Sequence, residues 1–195
     1  MTPETGTLVE VNAIQRLVEG AKIYTGANVT ESKIKKLSET GELAKYKVLH
    51  FATHGLVLPE MPELSAIVLS QVKDEKNGED GYLRMGEIAE LNIKADFVNL
   101  SACKTGLGKI YGGEGVVGLT QSFLLAGANA ISVSLWSVED VSTSQFMAAI
   151  YNLVEKKGME YNDAMAEVKR QFIRGDFGNE YRAPFYWAPF VYYGK

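Results

Sequence analysis

The chain has 195 residues, 46% hydrophobic and 23% charged, which describes one globular domain with a sizeable core. Its 20 Lys and Arg against 24 Asp and Glu leave a net charge of −4, which argues against a general nucleic-acid surface, since phosphate contacts need clustered cations. The one cysteine, Cys103, can neither close an internal disulfide nor anchor a structural zinc site, and the polar N-terminus (MTPETGTLVE) is no signal peptide, so a reducing, cytoplasmic compartment is expected.

Apolar spacing predicts a first helix over Val11–Ile23, and Thr30 reads as the cap of a second. Tyr46–Ala52 is a compact apolar run that stops at Thr53-His54-Gly55, the pattern of a buried strand ending in a loop. Ser65–Leu69 reads as a strand, Lys73–Gly81 as a solvated turn or loop prone to disorder, and Met85–Leu91 as a short helix. Asp96–Ser101 is a strand that runs into Ala102-Cys103. Glu114–Ala126 is a helix, Ala130–Trp136 a strand, Val141–Lys156 and Asn162–Ile173 helices, and Trp187–Tyr193 a last strand. Val116–Trp136 carries no charge and is long enough to span a bilayer. Gln121, Asn129, four hydroxyl residues and Gly127 between a helical and a β pattern argue instead for helix, turn and strand, and no membrane contact is expected. Strands that alternate with helices and are apolar throughout predict an α/β fold, a mostly parallel sheet with helices on both faces.

In such sheets ligands bind beyond the carboxyl ends of the strands, where His54 and Cys103 both fall. A thiol is mostly protonated at neutral pH, and a neighbouring imidazole makes the thiolate accessible. His50 lies within its strand and reads as a packed core residue; His54, at the strand's end, is the better base. Gly55 allows close backbone approach, and its N–H and that of Cys103 could meet a developing oxyanion. Three rivals are weaker. Gly113-Glu-Gly-Val-Val-Gly118 matches a dinucleotide fingerprint but starts about a dozen residues past its strand. His50 and His54 would share a helix face as metal ligands, but the pattern is a strand with no acidic cluster, so no metal or cofactor is expected. A catalytically silent scaffold would keep the fold without turnover.

The ordering resembles caspase-type cysteine peptidases, in which the histidine precedes an Ala-Cys nucleophile by about 50 residues; here His54 and Cys103 are 49 apart. More closely, the chain resembles the CHAT family, caspase-like domains related to separase and often attached to tetratricopeptide (TPR) repeats. The matching segments are His50–Gly55 (HFATHG), Leu100–Gly108 (LSACKTGLG), Gly113–Leu119 (GEGVVGL), Phe123–Ala128 (FLLAGA), Ser134–Asp140 (SLWSVED) and Tyr186–Val191 (YWAPFV). The resemblance implies a caspase-like three-layer sandwich and cysteine endopeptidase activity on a protein substrate. It implies a dyad of His54 and Cys103, an oxyanion hole with Gly55, and control by a partner or sensor region of TPR type. It also implies that Ile131–Trp136 leads into the specificity pocket, with Trp136 as a wall. Asp140, or less readily Glu139, would then meet a basic side chain, although both also suit the start of a helix. Family members usually carry an earlier core strand and a repeat or sensor region. This sequence starts near the segment matching Val9–Leu17, so the single domain over 1–195 is read as lacking both.

Overall fold

The computed structural model describes residues 5–58, 60–71, 78–101 and 114–194. The chain divides into two compact units, one of residues 24–137 and 192–195, the other of residues 2–23 and 138–191.

The larger unit is built on a four-stranded sheet in the order β1 (Val48–Phe51), β5 (Phe97–Leu100), β6 (Ala130–Ser134), β7 (Phe190–Gly194). β1 runs parallel to β5, and β5 parallel to β6. All of β5 and β6 is buried, which is why both read as continuous apolar runs and not as alternating ones. Helix α4 (Glu114–Leu125) lies against β6 and α3 (Met85–Ala89), and its Phe123 ring meets Phe51 at 5.5 Å. The fold is mixed α/β with a mostly parallel central sheet, as the sequence predicts.

A second, three-stranded antiparallel sheet was not expected. It has the order β2 (Gly55–Leu56), β3 (Ala66–Val68), β4 (Tyr82–Arg84). The Ser65–Leu69 run therefore does not join the parallel sheet, and Gly55, read as loop, begins a strand. Two- and three-residue strands leave too little periodicity to detect. The expected loop Lys73–Gly81 lies largely outside the described residues, of which Gly78 and Gly81 have positive φ.

Helix α2 (Glu31–Glu39) is capped as expected, Thr30 Oγ1 accepting from Lys33 N–H. The buried Glu31 carboxylate accepts from the amides of Asp80 and Gly81 at 2.9 and 2.8 Å, and Lys35 Nζ bridges Glu31 and Glu87 at 3.1 and 2.7 Å. Burial alone would raise the Glu87 pKa, but hydrogen bonds from Lys35 and the Arg84 amide outweigh it and hold the carboxyl below its usual range. The Arg84 hydrogen bond likewise depresses Asp80. A depressed carboxyl pKa contributes stability above its unfolded value and loses it as pH falls through the folded one. Glu87→Gln is therefore expected to lower unfolding free energy by about 1 kcal/mol at pH 7, the solvent-screened scale for partly exposed pairs, and by less at pH 3. Urea titrations at the two pH values check the difference.

The smaller unit packs α1 (Thr5–Leu17) and α6 (Tyr161–Arg174) against α5 (Asp140–Lys157). Phe146 stacks on Phe190 at 4.3 Å and meets Phe172 at 5.5 Å. The first helix starts earlier than predicted and stops at Leu17, before Gly20 at φ 77°. No helix among the described residues is long and apolar enough to cross a membrane.

Candidate active site

The chain leaves β1 at Phe51 and turns through Thr53 into β2. Thr53 Oγ1 donates to the Val68 carbonyl and Val68 N–H donates to His54 O at 2.8 Å, so the turn carrying His54 is fastened to β3 on both sides. His54 is half-buried. Because Val68 bonds to His54 O, the neighbouring Gly55–Ile67 pair is a non-hydrogen-bonded pair of the antiparallel ladder. The Gly55 N–H consequently faces away from β3 and is not used in the sheet.

β5 lies beside β1, and the ladder continues past its end, Ser101 N–H donating to Phe51 O at 3.1 Å. Ser101 is 3% exposed, and its hydroxyl has no hydrogen-bond partner among the described residues. Cys103 lies two residues further on, outside the described residues, as does the loop after it.

β6, the third strand, ends at Ser134, whose Oγ donates to the Trp136 carbonyl at 2.6 Å. Trp136 is half-buried just beyond the strand. His54 and Trp136 thus follow the carboxyl ends of two strands that flank β5, the strand leading to Cys103. Asp140 is the first residue of α5, with Glu139 as its cap; both are exposed. Ser142 Oγ and Thr143 N–H each donate to Glu139 O at 3.0 Å. This is the helix start that the sequence allowed for both residues.

Within the strands, the sheet carries polar groups that the sequence pattern did not single out. His50, Asn99 and Ser132 are register partners across β1, β5 and β6. Ser132 Oγ donates to Asn99 Oδ1 at 2.6 Å, and Asn99 Nδ2 lies 3.1 Å from His50 Nδ1. His50 is half-buried and hydrogen-bonded, in keeping with the packed residue expected. The available signal was polar residues inside mostly apolar strands, Asn99 in Phe-Val-Asn-Leu and Ser132 in Ile-Ser-Val-Ser.

A family model for the CHAT domain matches residues 1–195, the whole chain. Among curated proteins, the chain is 27% identical over 113 residues to Tetratricopeptide repeat protein 28 of Homo sapiens. It is 26% identical over 113 residues to the protein of the same name in Mus musculus. Each match covers 58% of this chain and 4% of the relative, so the chain spans a small fraction of the length of these proteins. A family match over the full length, on a chain with a mostly parallel α/β sheet, shows that it belongs to the CHAT family.

Proposed function

We propose that this chain is a cysteine endopeptidase domain in which Cys103 is the nucleophile and His54 its base. The observation that carries the reading is a register. Each β1 residue pairs with the β5 residue 49 positions later, Val48 with Phe97 through Phe51 with Leu100. The same offset separates His54 from Cys103. β5 pairs with β6 at an offset of 33, Val98 with Ile131 through Leu100 with Val133, and 33 also separates Cys103 from Trp136. Two adjacent parallel strands are thus followed, at the same number of residues beyond paired positions, by an imidazole and a thiol.

The mechanism follows from those groups. His54 takes the thiol proton, and the Cys103 thiolate attacks the scissile carbonyl carbon. The oxyanion that forms meets amide donors, for which the Gly55 N–H, unused in the sheet, is suited along with that of Cys103. His54 then gives its proton to the leaving amine, leaving a thioester. Water, deprotonated by His54, attacks the thioester and releases the acid and the free thiol. Trp136 is the candidate for a wall of the specificity pocket, and Asp140 is the candidate to meet a basic side chain. The substrate is another protein. The relatives carry tetratricopeptide repeats by name, which supports control by a repeat or sensor region.

The test is hydrolysis of a peptide library, read by mass spectrometry, for wild type and Cys103→Ala in the complete protein. Cleavage is expected from wild type only, with unchanged melting temperature in the variant. Cleavage that survives Cys103→Ala sinks the assignment. No cleavage by wild type under any activating partner favours a scaffold.

A further inference from the structure

The polar rung across the sheet has a consequence for the site four residues beyond it. We infer that Asn99 is a positioning residue: by bridging His50 and Ser132 it fixes the register of β1, β5 and β6 from which the chain reaches His54 and Cys103. The inference rests on the dyad reading above.

Three features carry it. The first is placement. Asn99 is 1% exposed and Ser132 0%, and their partner His50 is half-buried. His54 is the fourth residue after His50, and Cys103 is the fourth after Asn99. The rung therefore precedes both members of the proposed dyad by the same number of residues.

The second is direction. Asn99 Oδ1 accepts from Ser132, which turns Nδ2 toward His50. An amide nitrogen only donates, so Asn99 Nδ2 is suited to a His50 Nδ1 that accepts. Ser132 and His50 thus engage opposite ends of the same amide.

The third is what the rest of the sheet lacks. The other described pairs of β1 with β5 and of β5 with β6 are Val, Leu, Phe and Ile, whose contacts are non-directional and supply no hydrogen bond that a given register satisfies. A one-residue slip would set His50 against Val98 or Leu100 and leave Asn99 and Ser132 buried without these partners. Each residue of slip moves a strand by about 3.3 Å. Reacting groups need placement to about 0.5 Å, so even a fraction of such a shift would dismantle a dyad.

The experiment is the pH profile of iodoacetamide labelling at Cys103, read by intact mass between pH 5 and 8. It is run beside thermal melts for wild type, Asn99→Leu, Ser132→Ala and Val98→Ala. Val98 is buried on the same strand and points to the opposite face, so its truncation supplies a destabilised control without touching the rung. Wild type and Val98→Ala are expected to label with little pH dependence. Asn99→Leu is expected to restore the steep rise of a free thiol, with labelling climbing at least tenfold between pH 6 and pH 8. Ser132→Ala, which frees the amide to turn but keeps the strand intact, is expected to fall between them, and carries the test if Asn99→Leu does not fold. Flat profiles for Asn99→Leu or Ser132→Ala beside a flat wild type overturn the inference and leave the dyad standing. Equal losses in Val98→Ala and Asn99→Leu assign the effect to stability and also overturn it. A steep wild-type profile removes the dyad, and the inference with it.

Discussion

His54→Ala is expected to turn a nearly flat alkylation profile at Cys103 into one that climbs about 10³-fold between pH 5 and 8. The magnitude follows from the thiolate fraction. A free cysteine with a pKa of about 8.5 is roughly 0.03% ionised at pH 5 and about a quarter ionised at pH 8. A thiolate paired with an imidazolium has a pKa of about 3.5 to 7.5, and near the lower end of that range it is ionised across the whole window. The shape of the profile decides the matter, because absolute rates mislead. Nucleophilicity falls with pKa at a Brønsted slope of about 0.4 to 0.5, which offsets much of the gain in thiolate. The unpaired cysteine and the ion pair can therefore label at similar rates at one pH and still differ a thousandfold in slope. Intact-mass kinetics at four pH values suffice. If wild type climbs as steeply as the variant, His54 does not activate Cys103 in this state of the protein. A flat profile in both would assign the activation to another group.

The positions of the proposed dyad drew notice in the sequence because they follow strand patterns, and β1 and β5 pair at the same 49-residue offset that separates them. The long elements were legible for the same reason. β5, β6, α4 and α6 have either a continuous apolar run or a clear helical stripe, and their observed bounds fall within a few residues of those expected. What was not legible is what depends on contacts between distant residues. β2 is two residues long and exists because Gly55 and Leu56 find Ile67 and Ala66. No pattern within His54–Leu56 announces that pairing, yet it decides which way the Gly55 amide points. The rung was hidden differently. His50, Asn99 and Ser132 are 49 and 33 residues apart, and each alone reads as a tolerated polar residue. Only the register makes them one hydrogen-bonded row. The early end of α1 was missed because an apolar stripe continues to Ile23 while Gly20, at φ 77°, has already ended the helix.

Gly127→Ala is expected to be among the most destabilising single-methyl changes in the chain, costing about 3 to 5 kcal/mol, a large part of the roughly 5 to 15 kcal/mol that holds a typical domain. Gly127 closes α4. Its N–H donates to Leu124 O, and the Ala128 N–H donates to Phe123 O, the paired bonds of a Schellman cap. The cap needs positive φ, and Gly127 has φ 109°, where a side chain alone costs about 1 to 2 kcal/mol. The larger part is steric. A Cβ at Gly127 would lie 2.0 Å from the Ile93 carbonyl oxygen, which is backbone and cannot rotate away. Ile93 is itself tied to this corner, its N–H donating to Ala126 O at 2.9 Å, so relief requires moving the chain that leads into β5 or the turn that leads into β6. Gly41 separates the two contributions. It follows the end of α2 at φ 71°, and a Cβ added there would meet no atom within 4 Å, so Gly41→Ala carries the backbone cost only, about 1 kcal/mol. Urea denaturation of the two variants should differ by at least about 2 kcal/mol. Equal losses would mean that the close approach at Ile93 relaxes freely. The expected difference would instead show that the segments entering β5 and β6 are held together at the amino ends of these strands, opposite the ends that lead to the candidate site.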